Sequence, residues 1–142
     1  MSHTFEVDGR WDGKFSGTIQ SQGTTPVAFG VPPEFGGPGG EWTPEHFLAA
    51  AVSTCIQATF LMIARASKTE ISSYEAKADC TMAKTSGGFE VTGITVSPKI
   101  VVADDDNREQ AERAINKAEQ LCPISKALGQ LVTVNPQVKV NS

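Results

Sequence analysis

The feature that most constrains the fold is a run of eighteen residues, 47–64, without a single charged side chain. The residues just before it, Thr43, Pro44 and Glu45, are typical of a helix start: a hydroxyl at the N-cap, proline at the first position and an acid in the first turn. The sequence therefore predicts a helix from here to about Ala66. A helix that is apolar all round lies inside a protein or a membrane. Because the run also contains five alanines and several hydroxyl and amide side chains, we interpret it as a central helix packed on several sides.

Strand patterns lie on both sides of this helix. Before it, large residues alternate over residues 5–11, and two short strand-like segments follow within residues 15–30. After it, apolar and polar residues alternate over residues 74–82, which is typical of a strand with one wet face. A second such strand is predicted over residues 89–102, but its pattern changes phase at Gly93, as a β-bulge would produce.

The C-terminal third predicts two helices and a last strand. Residues 103–121 form an amphipathic pattern with an acidic start, residues 123–129 form a short helix that ends at a glycine, and residues 131–140 form a strand. A chain of 142 residues has the size of one domain, so residues 1–142 are predicted to form a single domain. The order of elements predicts an α+β fold, with mainly antiparallel sheets around a long buried central helix.

Charge and targeting signals narrow the function classes. The net charge is -4, which argues against a nucleic-acid-binding surface or a polybasic membrane contact. The N-terminus has no basic start followed by an apolar core, so a cytoplasmic protein is expected. In that compartment lasting disulfides are rare, and paired cysteines more often serve redox or metal chemistry. A zinc site is disfavoured because the sequence has no closely spaced cysteine pair and only two histidines, so we expect no metal and no cofactor.

The three cysteines differ in their sequence context. Cys122 directly precedes Pro123, the predicted first residue of a helix, so it is the predicted N-cap, where a thiolate is stabilised by the helix dipole. Cys55 lies in the middle of the apolar helix, where an inert core thiol is the alternative to a functional one. Cys80 shares the phase of the buried face of its strand, which favours a core side chain.

Two motifs taken together resemble a known family. The segment TPEHFLAAAVSTC ends at Cys55, and CPISKAL begins sixty-seven residues later at Cys122. With the loop PPEFGGPGGEW at residues 32–42, this pattern resembles the OsmC/Ohr family of thiol-dependent hydroperoxide reductases over nearly the whole chain. The resemblance implies an intertwined homodimer with active sites at its interface, a peroxidatic Cys55, a resolving Cys122 and an acidic site residue at Glu45. It also implies a hydroperoxide substrate, and the cycle needs an external dithiol reductant, lipoyl-type or other.

The resemblance is incomplete at one position. Proteins of the family usually carry an arginine near the N-terminus, three residues before a Gly-Thr pair. Counting back from Gly17 reaches Lys14 in this sequence, and Arg10 is the other candidate cation. A lysine lowers the pKa of a neighbouring thiol by its charge, but it lacks the planar fork that binds a carboxylate at two points. The identity of the cation is therefore open between these two residues.

A cysteine peroxidase is the function that this pattern favours. Cys55 would be oxidised to a sulfenic acid, which Cys122 would convert to a disulfide. An apolar pocket around Phe35, Trp42 and Phe47 would favour organic hydroperoxides. The main alternative is a dimeric small-molecule binding protein of the same fold with little peroxidase turnover, and a weaker one is a structural domain with three inert cysteines.

The position of Glu45 raises a geometric conflict. On one unbroken helix, Glu45 and Cys55 would be separated by about 15 Å along the axis and roughly 80° around it. Their side chains cannot meet across this gap. Either the helix breaks between them or the acid reaches the site from the partner subunit. Because residues 47–64 contain no glycine or proline, we favour the partner subunit.

Overall fold

The computed structural model describes residues 1–141. Within these residues the chain forms two compact units, Met1–Phe47 and the part from Leu48 onwards. Each unit carries its own β-sheet, with three strands in the first and four in the second. Helices and sheets are both extensive, which confirms the α+β class. That residues 1–142 form one domain stays a prediction.

The first unit contains a three-stranded antiparallel sheet, with β1 at Asp8–Gly13, β2 at Ser16–Gln20 and β3 at Val27–Gly30. β1 begins later than the predicted strand. The large residues that suggested a strand from residue 5 are exposed in this chain: Phe5, Val7 and Trp11. Their alternation therefore indicates a strand correctly, but the side chains that alternate are not buried within this chain.

Residues 31–42 form a loop, as their glycines and prolines predicted, interrupted by one short 3-10 turn. The end of the loop is tied to the sheet. The Gly30 N–H donates to the Trp42 carbonyl at 2.8 Å, and Trp42 pairs with Phe29 in a parallel bridge. The Trp42 ring also stacks on Phe47, with ring centres 5.5 Å apart. These contacts fix the path of the chain into the first turn of the next helix.

The predicted apolar helix is α1, Pro44–Ala66, and it is unbroken. The hydroxyl of Thr43 accepts the His46 N–H at 3.3 Å, as expected at an N-cap. The buried side chains of α1 follow a single stripe: Ala49, Val52, Ile56, Phe60 and Ala64. The predicted long central helix is confirmed. Within one chain its fully buried side chains form this stripe, and Leu48, Cys55 and Ile63 beside it are partly buried against the core.

By length and composition alone, α1 could span a membrane. Its most apolar 18-residue stretch has a mean hydropathy of 1.9, and 28% of that stretch is buried. The core helix of a soluble protein can have the same length and composition. From Val52 to Ala64 the buried stripe of α1 packs into the hydrophobic core of the second unit. On another face of α1, Leu61 and Met62 are exposed.

The second sheet is built on a long hairpin. β4 at Ile71–Thr85 and β5 at Gly88–Val102 pair in antiparallel fashion through a two-residue turn. The register shifts after Thr81, which leaves Thr92 on β5 as the extra residue of a bulge. The predicted change of phase at Gly93 is confirmed.

The last predicted strand is in fact two strands. β6 at Val132–Val134 and β7 at Gln137–Val140 both pair with β5 in parallel. The Asn135 N–H still donates to the Val96 carbonyl at 2.9 Å, but Pro136 has no N–H to continue the ladder. The prediction of one strand over residues 131–140 is wrong in this respect, and the second sheet is mixed.

Two helices follow β5 in the chain. α2 at Asp105–Leu121 starts at the N-cap Asp104, whose carboxylate accepts the Asn107 N–H at 2.9 Å, and α3 covers Pro123–Leu128. A stripe of alanines and one isoleucine on α2 is buried. This stripe, the buried stripe of α1 and alternate residues of β5 form one hydrophobic core. The core places the C-terminal end of α2 against the middle of α1.

Candidate active site

Cys122 lies at the junction of α2 and α3. Its N–H donates to the Ala118 carbonyl at 2.9 Å and closes α2. Its Sγ accepts the backbone N–H of Ser125 at 3.4 Å and caps α3, so the predicted N-cap position is confirmed. The residue is 0% exposed, which the sequence did not predict. Both helices therefore fix the position of this sulfur.

Cys55, in the middle of α1, lies next to Cys122. It is half-buried, packs against the core cluster that includes Cys122, and lies close enough to the Cys122 thiol for each thiol to shift the pKa of the other. Both residues are free thiols. The structure thus brings together two sulfurs that are sixty-seven residues apart in the sequence. One is partly accessible to solvent and the other is enclosed.

The two thiols differ in acidity. Burial raises the pKa of Cys122, but hydrogen bonds from Cys55, from Ser125 and from the backbone N–H of Ile124 outweigh it, so this pKa is lowered overall. The pKa of Cys55 is raised, first by burial and then by its hydrogen bond to Cys122, although the Ile124 N–H and the Thr59 hydroxyl oppose the rise. The surroundings therefore lower the pKa of the Cys122 thiol and raise that of the Cys55 thiol.

Ser125 and Thr59 are site residues that the sequence analysis missed. Ser125 is 8% exposed, and its hydroxyl oxygen has no hydrogen-bond partner among residues 1–141, but it is near enough to Cys122 to lower the pKa of that thiol. Thr59 lies one helical turn after Cys55 on the same face of α1. Once the two sulfurs are known, spacing finds both, because Ser125 follows its N-cap by three positions and Thr59 follows Cys55 by four.

Glu45 lies in the first turn of α1, within the first unit. Its Oε1 is buried and has no hydrogen-bond partner among residues 1–141. A buried carboxylate oxygen without a donor is costly, and one chain supplies no donor to it. Because α1 is unbroken between Glu45 and Cys55, the broken-helix solution to their separation is excluded.

The two candidate cations are in different situations, and both lie in the first unit. The Nε of Arg10 donates to an Asp12 carboxylate oxygen at 3.1 Å, and Asp12 also accepts a hydrogen bond from Thr18. Lys14 lies in the turn between β1 and β2 with a φ of 51°, and its carbonyl accepts the Trp11 indole N–H at 3.0 Å. Its ammonium group makes no ion pair within residues 1–141.

Two of the three aromatic residues of the predicted pocket contact each other within the first unit, and the pocket itself stays a prediction. Trp42 and Phe47 stack on each other, and Phe29 adds an edge contact to Phe47 with ring centres 6.4 Å apart. Phe35, the third predicted member, is 41% exposed. The aromatic side chains therefore offer an apolar surface.

The third cysteine, Cys80, is not part of this pair of thiols. Cys80 is half-buried on β4 and packs against the core of the second unit, as predicted. Across the part of the chain that the structure describes, no group of three or more histidine, cysteine or acidic side chains is placed to hold a metal ion.

Comparison with known proteins places these features in a family. The sequence pattern of the family described as OsmC-like protein matches residues 37–137. The chain is 31% identical to the organic hydroperoxide resistance protein OhrB of Bacillus subtilis over 97 residues, which is 68% of each chain. It is 30% identical to the organic hydroperoxide resistance protein-like 2 of Staphylococcus epidermidis over 129 residues, 89% of this chain and 86% of that protein.

Solved structures show the same fold. The structure of OhrB from Bacillus subtilis has a TM-score of 0.68 at 27% identity and covers 96% of this chain and 98% of its own. An OsmC-like protein of unknown function from Vibrio cholerae has a TM-score of 0.82 at 20% identity, covering 96% of this chain and 99% of that one, and it supports the fold alone. These matches confirm the resemblance drawn from the two cysteine motifs. The chain belongs to the OsmC-like protein family.

Proposed function

We propose that this protein is a thiol-dependent peroxidase that reduces hydroperoxides through a disulfide cycle between Cys55 and Cys122. The observation that carries the proposal is the contact between a half-buried thiol and a fully buried one that come from distant parts of the chain. Two relatives named organic hydroperoxide resistance proteins support organic hydroperoxides as the substrate class.

Cys55 is the peroxidatic residue in this proposal because its sulfur is the more accessible of the two. The sulfur attacks one peroxide oxygen, the O–O bond breaks, and the products are an alcohol and a sulfenic acid on Cys55. Cys122 then attacks the sulfenic sulfur, water leaves, and the disulfide forms. Because Cys122 is already in contact with Cys55, this step competes well with further oxidation. An external dithiol, lipoyl-type or other, reduces the disulfide.

Glu45, a cation and a second subunit complete the proposed site. The exposed apolar side chains Leu61 and Met62 on α1 support a homodimer, and the unpartnered oxygen of Glu45 supports a donor from the partner. In that arrangement Glu45 holds the cation, and the cation stabilises negative charge on sulfur and on the departing oxygen. Lys14 is the first candidate, since Arg10 is already paired with Asp12. We place this homodimer in the cytoplasm.

Thiol counting tests the proposed function directly. The reduced protein is mixed with a small excess of cumene hydroperoxide, and free thiols are counted. We expect the loss of two thiols per chain, and peptide mapping should find the disulfide between Cys55 and Cys122. A binding protein without turnover would lose none. The Cys55→Ser variant is the matched control for non-specific oxidation.

A charge-removal pair tests the identity of the cation. Lys14→Met should slow the reaction with peroxide at neutral pH by roughly threefold to tenfold, because a neighbouring positive charge favours the thiolate. Stopped-flow rates with cumene hydroperoxide would measure this, with Lys77→Met, an exposed site on β4, as the control. An effect of Arg10→Met without an effect of Lys14→Met would assign the role to Arg10. If neither variant slows the reaction, neither Lys14 nor Arg10 is the cation.

A further inference from the structure

A chain of hydrogen bonds joins the end of α1 to the first turns of α2. The Thr69 hydroxyl donates to Oε1 of Gln110 at 2.8 Å, and it shares a second hydrogen bond of 2.8 Å with the Ser67 hydroxyl. Beside it, the Glu70 N–H donates to Oδ1 of Asn107 at 2.9 Å. We call these five residues the polar clamp. Thr69 is only 8% exposed, so its hydroxyl needs the partners that the clamp supplies.

The turn that carries Thr69 is held in one conformation. Directly after α1, Lys68 has a φ of 56°, in the left-handed region that favours glycine. The Thr69 N–H closes the end of the helix by donating to the Ala64 carbonyl at 2.8 Å. A residue with a side chain keeps such a conformation only where its surroundings determine it. The clamp is therefore attached to a well-defined end of α1.

The clamp and the thiol pair lie at opposite ends of α2. Gln110 is in the second turn of this helix, whereas Cys122 ends it by donating its N–H to the Ala118 carbonyl at 2.9 Å. The end of α1 thus meets the start of α2, and Cys55 in the middle of α1 meets the end of α2. The two helices therefore run antiparallel, and residues 110–122 span about 18 Å between the clamp and the thiol.

The apolar packing of α2 leaves its position along its own axis weakly determined. Its buried side chains are those of Ala111, Ala114, Ile115 and Ala118, so three of the four are single methyl groups. Ridges of larger side chains are what interlock neighbouring helices, and α2 has only one such side chain on this stripe. Directional hydrogen bonds specify a position that a smooth apolar contact leaves free. Because the helix is continuous, a shift at its start moves Cys122 with it.

We propose that Asn107 and Gln110 are positioning residues for the disulfide step, because they fix α2 along its axis and so place Cys122 against Cys55. In this step the Cys122 thiolate attacks the sulfenic sulfur of Cys55, the S–S bond forms, and hydroxide leaves and is protonated to water. A disulfide forms only over a narrow range of Cα and Cβ separations, so a small displacement of α2 acts on this bond. The inference rests on the proposed disulfide cycle.

Two matched double variants on α2 test the clamp. Asn107→Ala/Gln110→Ala removes both acceptor side chains, whereas Asn116→Ala/Gln120→Ala makes the same changes at exposed positions of the same helix. In a Cys80→Ser background, equilibration with reduced and oxidised glutathione gives the effective concentration of the two remaining thiols without peroxide. The clamp variant should lower it by roughly threefold to tenfold, the factor that one ordinary hydrogen bond accounts for. The control should leave it unchanged.

Rapid mixing with cumene hydroperoxide separates positioning from general stability. In the clamp variant Cys55 should be oxidised at the wild-type rate, but the disulfide should form about threefold to tenfold more slowly. Sulfinic acid should then accumulate on Cys55. A role in stability alone would lower the melting temperatures of the reduced and the disulfide form equally and leave the glutathione equilibrium unchanged. Gln110→Glu keeps an acceptor oxygen for the Thr69 hydroxyl and should behave as the wild type.

An unchanged glutathione equilibrium in the clamp variant would overturn the inference, as would an equal slowing of both oxidation steps. If the double variant does not fold, Gln110→Ala alone is compared with Gln120→Ala by the same two measurements, with the same outcomes expected. If the wild type loses no thiols to peroxide, the proposed function fails, whereas the glutathione equilibrium still tests the clamp.

Discussion

Cys55→Ser should abolish peroxide reduction. A serine hydroxyl in place of the more accessible sulfur cannot be oxidised by a hydroperoxide, the sulfur of Cys122 is buried, and Cys80 lies outside the proposed cycle. Consumption of cumene hydroperoxide in the presence of dithiothreitol should fall to the rate without protein. Cys122→Ser should behave differently, consuming one equivalent and then progressing to sulfinic acid, because the sulfenic acid on Cys55 has no thiol to resolve it.

Cys80→Ser is the matched control for this pair. It removes a cysteine from the same chain, but Cys80 lies on β4 against the core and has no assigned role in the cycle. Turnover should be nearly unchanged. Mass spectrometry after one addition of peroxide would identify the oxidation state of each cysteine. A comparable loss of activity in Cys80→Ser and Cys55→Ser would overturn the assignment of roles.

A mixed dimer should recover activity that neither of its parent variants has. Glu45→Ala should lose most of its activity, because the cation is no longer held in place, and Cys55→Ser should lose all of it. If Glu45 acts on the Cys55 of the partner, a dimer of one chain of each kind contains one intact site and one site lacking both residues. The purified mixed dimer should then show about half the activity of the wild type.

This experiment requires the mixed dimer to be isolated, for example with two different affinity tags, because random exchange leaves both parent dimers in the sample. A mixed dimer of Cys55→Ser and Cys122→Ser chains is the informative comparison. Both cysteines of a site come from one chain, so this pair should not regain the disulfide cycle. Absence of recovery in the first mixture, with exchange confirmed, would show that the acid acts within its own chain, and a stable active monomer would refute the shared site altogether.

Much of the fold could be predicted because local signals were strong. Thr43 and Pro44 marked the start of α1, the glycines and prolines of residues 31–42 marked a loop, and the change of phase at Gly93 marked the bulge. The break at Pro136 was missed because apolar residues continue to alternate across it. Composition also could not show that the fully buried side chains of α1 form a single stripe, because an apolar helix pattern does not indicate which of its faces are covered.

The candidate site was predictable to a smaller degree. Pro123 was enough to place Cys122 at an N-cap, but its contact with Cys55 came from the family resemblance, because no local pattern links residues sixty-seven positions apart. The roles of Ser125 and Thr59 were missed since neither is ionisable, and a hydroxyl becomes informative only once the sulfur it faces is known. The cation stayed open because turn geometry and ion pairing, rather than residue type, distinguish Lys14 from Arg10.

The unequal burial of the two sulfurs also governs how the proposed disulfide is reduced. An incoming dithiol can reach the sulfur of Cys55 but not that of Cys122, so the mixed disulfide with the reductant should form on Cys55, where peptide mapping of a trapped adduct would find it. Cys122 is then the leaving group, and a thiol with a lowered pKa leaves faster. The burial that protects Cys122 from oxidants therefore also means that the reductant attacks the disulfide at Cys55.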